Sequence, residues 1–365
     1  MPTIFFAFRD APERRAALEA PGALDRYRLF GLDEIRAHGT EVRHNLEEGA
    51  PPLWARMAAK IVNRILRVVG GYGGDFASTL VSLRAANDAD VVFATTDTVG
   101  IPLMLLKRFG LLRPPLVYAA IGLPERLVQV RRWPMRRLYA GALRRASAIL
   151  AYSESEVAWL EAWLGGDAPL VRFVPFGVDV GAFAPIPSGV EKDVVSVGAD
   201  PHRDFQLLRD AAALHPELSF SIVTTKDHAR ALGTPPANVT LESDLPLEQV
   251  RERLASARVV ALPVRRNSYS GATTVLLQAM ALAKPVVVSR TDAIAHGYGL
   301  EDRVNCRLVE PGDQQAFERA MLETLADPES LGSRARDLVV RDFSWKRYTD
   351  SLWEILSATW VRERS

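Results

Sequence analysis

The chain has 365 residues, 48% of them hydrophobic and 24% charged, with a formal net charge of +1. That length suits two domains better than one, and the composition excludes both a disordered chain and a wholesale nucleic-acid binder. A single cysteine, Cys306, excludes an intrachain disulfide, fits a reducing cytoplasm, and reads as core because its neighbours are apolar.

The N-terminus enters the apolar run Ile4-Phe-Phe-Ala-Phe8 and meets Arg9 at once, which is too short for a signal peptide and right for a first strand. No apolar stretch approaches the ~18 residues that a membrane span needs. Strands are predicted near 3–8, 90–95, 116–120 and 148–152, with amphipathic stretches near 53–68, 76–87, 100–110 and 134–147 between them. Gly70-Gly-Tyr-Gly-Gly74 follows a helix-like stretch and reads as a flexible connection rather than as a phosphate loop. Asp88-Ala-Asp90 has the Asp-x-Asp spacing of a metal motif, but it directly precedes a strand, where helix-to-strand turns often carry acids.

In the segment 134–146, Met135, Leu138, Tyr139, Ala142 and Leu143 recur at helical spacing, while Arg136, Arg137, Arg144 and Arg145 lie on another face. No acidic residue falls between Arg126 and Arg145, and Trp133 adjoins the cluster. The readings are a solvated face on a core-packed helix, a site for an anionic acceptor, or a peripheral contact with the inner membrane face. The second half repeats the alternation, with strands near 194–198, 219–224, 259–263, 285–289 and 306–309. Alternation throughout implies two parallel sheets covered on both faces. They are joined near Pro175-Phe-Gly-Val-Asp-Val-Gly181, and open sheets of this kind bind ligands beyond the carboxyl ends of their strands.

The stretch Ser270-Gly-Ala-Thr-Thr-Val-Leu-Leu-Gln278 is the most informative, reading as a polar turn and then an apolar helix. Thr273 and Thr274 fall where the helix must begin, and a helix start with free amides, small side chains and hydroxyls suits a phosphate. Gln278 is the lone polar residue inside that helix, so it needs a hydrogen-bond partner, either a ligand hydroxyl or nearby backbone. Downstream come Leu308-Val-Glu-Pro-Gly-Asp313, Ala326-Asp-Pro328, Gly332-Ser-Arg-Ala-Arg336 and Phe343-Ser-Trp345.

In order and spacing this set resembles the C-terminal half of the family 4 (group 1) glycosyltransferases of GT-B fold. The likeness is good over residues 170 to 350 and holds only in outline before that. It implies two Rossmann-like doubly wound domains facing across a cleft: an acceptor-side domain over 1–177 and a nucleotide-sugar domain over 178–344. A C-terminal helix over 345–365 is then expected to pack back on the first domain. The implied activity is nucleotide-sugar-dependent transfer, retaining and metal-independent, of a hexose-type sugar to a glycan, natural-product or lipid-linked acceptor. No cofactor and no nucleic acid are implied, and the six histidines show no pairing at metal-ligand spacing.

The resemblance also suggests site residues. Arg203, in Val197-Gly-Ala-Asp-Pro-His-Arg-Asp204, best fills the role of the basic residue that neutralises the donor diphosphate. The family's following Lys-Gly is Asp204-Phe205 here, which leaves Lys226, Arg265 and Arg266 as candidates for the second charge. The family's two glutamates fall on Ser270 and Gln278, with Gly271, Thr273 and Thr274 completing the donor loop. On the acceptor side the histidine that usually precedes Gly122 is Ile121, and retaining members rely there on positioning and charge stabilisation. Asp97 is the nearest carboxylate, readable as an acceptor ligand, a base, or a cap on the helix that follows. A GT-B-fold nucleotide-sugar 2-epimerase and a catalytically weak nucleotide-binding relative remain alternatives, the loss of both glutamates weighing against the first.

Overall fold

A computed structural model describes residues 1–19, 22–47, 49–187, 189–267 and 271–362. Two compact units emerge: Met1–Gly22 with Arg28–Pro175 and Thr349–Ser365, and Ala23–Tyr27 with Phe176–Tyr348. The division thus falls at 175/176 and 348/349. Residues just past 175 go with the second unit because Val178 donates its N–H to Phe343 O at 2.9 Å and accepts from Trp345 N at 2.8 Å.

The first unit is built on β1 (Thr3–Ala7), β2 (Glu41–His44), β3 (Val91–Ala94), β4 (Leu116–Ala120), β5 (Ala148–Ala151) and β6 (Leu170–Phe173). The second is built on β7 (Lys192–Val197), β8 (Phe220–Thr224), β9 (Val239–Ser243), β10 (Ala257–Leu262), β11 (Val286–Ser289) and β12 (Arg307–Val309). Strand order is β2-β1-β3-β4-β5-β6 in one sheet and β12-β11-β10-β7-β8-β9 in the other, with every pairing parallel. Each sheet is therefore doubly wound, and each reverses its strand order once. The chain leaves β1 toward β2 and returns on the other side with β3; it does the same around β7, with β8 and then β10.

Central strands read as continuous apolar runs because helices cover both faces. Every residue of Val91–Ala94 and of Leu116–Ala120 is buried. In the second unit Val194, Phe220, Ile222, Val259 and Val287 pack with Phe317 and Met321 into one core. Strands β2, β6 and β9, absent from the sequence-based expectation, are all sheet edges. One face of each is solvated, so Glu41-Val-Arg-His44 and Leu170-Val-Arg-Phe173 carry charges where central strands carry valines.

The stretch expected as one helix over 76–87 is two, Phe76–Val81 and Leu83–Asn87, parted at Ser82, whose hydroxyl donates to Ser78 O at 2.9 Å. The Asp97–Arg108 helix begins three residues earlier than expected and contains Pro102. Proline has no N–H for the carbonyl of residue 98. That carbonyl instead accepts from Asp75 N at 2.8 Å, which ties the glycine loop to this helix.

Candidate active site

Both order reversals place a crevice at the carboxyl edge of a sheet, the position that open α/β sheets use for ligands. In the first unit this edge carries the start of the Asp97–Arg108 helix and the turn Ile121-Gly122 after β4. Gly122 has φ +72°, a conformation in which any side chain is strained, and it opens the Leu123–Val128 helix.

Two buried carboxylates hold that turn. Asp97 accepts the Ile121 N–H at 3.1 Å, and Glu156 accepts the Gly122 N–H at 3.2 Å and the Tyr152 N–H at 3.1 Å. Asp97 also accepts from the Tyr118 hydroxyl, and its second oxygen lies 3.2 Å from Arg126 Nε. Burial raises the Asp97 pKa to about 6, against the lowering pull of Tyr118, Arg126 and the Ile121 amide. Burial likewise takes Glu156 up to about 8, with the two backbone amides opposing it. Burial pushes the Tyr118 phenol well above its ordinary value, and the Asp97 charge beside it adds to the shift. Asp97 thus sits at the first position of its helix as a strut for the turn, its carboxylate inside the protein.

The glycine loop is not a loose connection. Gly70 N donates to Arg67 O, Gly71 N to Leu66 O, Tyr72 N to the Tyr139 hydroxyl and Gly74 N to Asn63 Oδ1. With four of its five amides committed internally, it cannot serve as an amide cradle for phosphate either. It instead forms one wall of a 360 Å³ pocket lined by Asn63, Arg67, Gly71–Gly74 and Arg126. The Arg126 guanidinium lies 5.5 Å from the Tyr72 ring centroid. Two guanidinium groups beside a buried acid suit an anionic ligand. Sequence reasoning missed Arg67 and Arg126. The available signal was an arginine four residues past the glycine of the β4 turn.

In the second unit the β7–β10 reversal joins the loop 198–204 to the loop after β10. Arg265 N donates to His202 O at 2.8 Å, Asp204 N to Pro263 O at 3.0 Å, and Arg203 forms an antiparallel bridge with Val264. Arg203 is fully buried rather than open to solvent, its Nε 2.7 Å from Asp200 Oδ2. Gly198 makes room for it, since a Cβ there would lie 2.1 Å from Arg203 Nε. Both terminal nitrogens of Arg203 are buried without a hydrogen-bond partner. Burial also lowers its pKa, and Asp200 opposes the shift.

The helix Thr273–Ala281 starts a few residues further along the same loop, with Leu276 N–H to Ala272 O as its first bond. The amides before it have no helical partner. Thr273 is buried and its hydroxyl is unpartnered, while Thr274 and Gly271 are half-buried. Gln278 is buried and its side-chain amide makes no hydrogen bond to the described residues. Ser270 lies outside the described residues.

The remaining basic candidates are engaged elsewhere. Lys226 opens the helix after β8 and pairs with Asp244 at 3.3 Å, and Arg265 donates to Pro201 O at 2.6 Å. Arg266 lies 3.6 Å from Glu310. Asp90 accepts the Thr3 N–H at 2.8 Å at the amino edge of its sheet, the opposite edge from that unit's crevice. No cluster of three metal-ligating side chains occurs among the described residues. Cys306 is buried, and burial pushes its thiol up to about 12, which makes it inert. No helix among the described residues is long and apolar enough to cross a membrane.

Residues 191–327 match the family described as glycosyl transferases group 1. No protein of curated function matches the chain. Among solved structures, sucrose-phosphate synthase (tll1590) from Thermosynechococcus elongatus superposes with a TM-score of 0.74 at 15% identity, over 99% of this chain and 100% of that one. Anabaena HepE in complex with UDP-glucose gives 0.71 at 17% identity, over 98% and 99%. The trehalose 6-phosphate synthase of Burkholderia multivorans gives 0.69 at 13%, over 100% and 99%. At such identities these likenesses speak for the fold: two Rossmann-like domains of GT-B type.

Proposed function

We propose, from the match of residues 191–327 to the group 1 glycosyl transferases and from the GT-B fold, that the chain is a glycosyltransferase whose donor is a nucleoside-diphosphate sugar bound at the β7–β10 crevice. The observation that carries this is Arg203, a buried guanidinium with two nitrogens unpartnered. Leaving such donors unpaired is costly, and a diphosphate is the ligand that satisfies them. The orphaned Thr273 hydroxyl and the amides of the first turn, which have no partner within the helix, supply further donors. Gln278, buried one turn in, accepts from the ribose. HepE binds UDP-glucose, by the description of its complex, and a similar uridine donor suits this chain.

For the acceptor we propose an anionic molecule, drawn from the glycan, natural-product or lipid-linked classes, held by Arg67 and Arg126. The chemistry we propose is retaining and metal-independent transfer of a hexose. In it the leaving phosphate takes the acceptor proton as the new glycosidic bond forms, and Arg203 and the helix amides stabilise the charge on the departing diphosphate. Support comes from Asp97 and Glu156: both are spent on fixing the backbone of 121–122, as a mechanism built on positioning requires.

The test incubates the protein with a panel of nucleotide sugars and measures free nucleoside diphosphate, with and without acceptor extracts. Acceptor-stimulated release is expected. Tight nucleotide binding without release under any acceptor would mean a nucleotide-binding relative that has lost turnover. UDP binding equally to wild type and Arg203→Ala, the variant remaining folded, would move the donor site elsewhere. The expected loss for that variant is about tenfold or more, from a charge-assisted contact worth about 1.5–3 kcal/mol.

A further inference from the structure

The helix Leu53–Val68 has three faces. Ala55, Ala59 and Leu66 are buried, with Val62 packed against the core of the first unit. Opposite them Leu53, Trp54, Met57, Ile61, Ile65 and Val68 stand in solvent, between 56% exposed at Ile65 and 73% at Leu53. On an ideal helix these six fall within about a third of the circumference. Scattered apolar residues on a surface are ordinary, but a continuous stripe is not. Arg56, Lys60 and Arg67 run along one flank of the stripe, Arg64 falls just inside its edge, and no acidic residue occurs from Gly49 to Gly74.

We propose that this helix docks the protein on an anionic lipid surface, its apolar stripe entering the headgroup boundary and its cations meeting lipid phosphates. An exposed apolar face with tryptophan, flanked by lysine and arginine, is the pattern of a helix lying in the plane of a membrane interface. The charge argues for this occupant over a second copy of the chain. A two-fold contact through the stripe would bring two rows of cations together with no anion on the helix to offset them. The surface extends past the helix end, where Arg132 Nη1 donates to Val68 O at 3.3 Å and Trp133 is 68% exposed.

The helix 134–146 of the sequence reading is a poorer membrane face. It spans Trp133–Leu143, so Arg144 and Arg145 fall beyond its last turn, and Arg144 is tied to Leu164 O.

The test is co-sedimentation of the full chain with phosphatidylcholine vesicles, with and without phosphatidylglycerol. Wild type is expected to pellet with the anionic vesicles and to release as salt rises. Trp54→Ser/Met57→Ser/Ile61→Ser alters only exposed side chains, so it should keep the wild-type circular dichroism spectrum while losing vesicle affinity on the order of a hundredfold. Arg56→Gln/Lys60→Gln/Arg64→Gln should lose about fivefold per cation removed and with it the preference for anionic lipid. Wild type remaining in the supernatant, or the serine variant pelleting like wild type, overturns the proposal. So does a wild-type dimer that the serine variant makes monomeric without any vesicle binding.

Discussion

Replacing Glu156 by glutamine should change how the stability of the first unit depends on pH. In the folded chain the carboxyl titrates near pH 8 because burial disfavours its charge, whereas unfolded it reverts to 4.5. Between those values the folded state binds the proton and the unfolded state does not, so stability falls as pH rises through that window. Across pH 5 to 8 the penalty is on the order of 3–4 kcal/mol, taking about 1.4 kcal/mol per pH unit. A domain of this size shifts its melting temperature by about 2–4 °C per kcal/mol, so wild type should lose on the order of 10 °C relative to Glu156→Gln. The variant gives up one of two amide contacts, which lowers its stability by a similar amount at every pH, so the difference between the two curves isolates the titration. Thermal melts by circular dichroism at pH 5, 6.5 and 8 provide the measurement. A difference constant across pH would refute the argument, because it would mean that Glu156 is ionised in the native state.

Tyr118→Phe removes the hydroxyl donor to buried Asp97 and should destabilise by about 1–3 kcal/mol, read by urea denaturation. Its Asp97 should titrate higher than in wild type, since a lowering contact is gone, and the pH profile of transfer should move up with it. Gln278→Ala should weaken UDP binding by about 0.5–1.5 kcal/mol and leave the fold intact. Gln278→Glu should match or exceed wild type, because an anionic acceptor bonds a ribose hydroxyl more strongly; calorimetry separates the three proteins. Transfer, once detected, should persist in excess chelator, and complete loss rescued by manganese or magnesium would reassign diphosphate neutralisation to a metal.

The doubly wound architecture was legible because its central strands are buried on both faces and so spell continuous apolar runs. Leu116–Ala120 could be read to the residue for that reason. Edge strands such as Val239–Ser243 were not legible, since a half-solvated strand with Thr240 and Glu242 resembles a loop. The loop proposed for the donor could be picked out locally, its hydroxyls and lone glutamine falling at fixed offsets from a helix start. The environment of Arg203 could not be read, because Gly198 and Asp200 look like ordinary turn residues until the fold closes them around the guanidinium. Asp97 was found as a residue but not as a strut. Its bonds to Tyr118 and Ile121 span 21 and 24 positions and exist only once β3 and β4 are paired. The exposed stripe of Leu53–Val68 was read as an amphipathic helix with one buried side, since a sequence does not say which apolar residues face inward.

The division of the chain also bears on its synthesis. The first unit includes Thr349–Ser365, where Leu352, Ile355 and Leu356 are wholly buried, Trp353 stacks on His38 at 4.4 Å, and Glu354 pairs with Arg172. On the ribosome, residues 1–175 therefore emerge without the segment that covers part of their core. They must wait through translation of the entire second unit before that surface is closed. A nascent chain arrested before residue 349 would carry a complete second unit above an unfinished first one, the reverse of the usual order in which an N-terminal domain folds first. Chaperone dependence and sensitivity to C-terminal truncation should accordingly fall on the half of the protein that is made first.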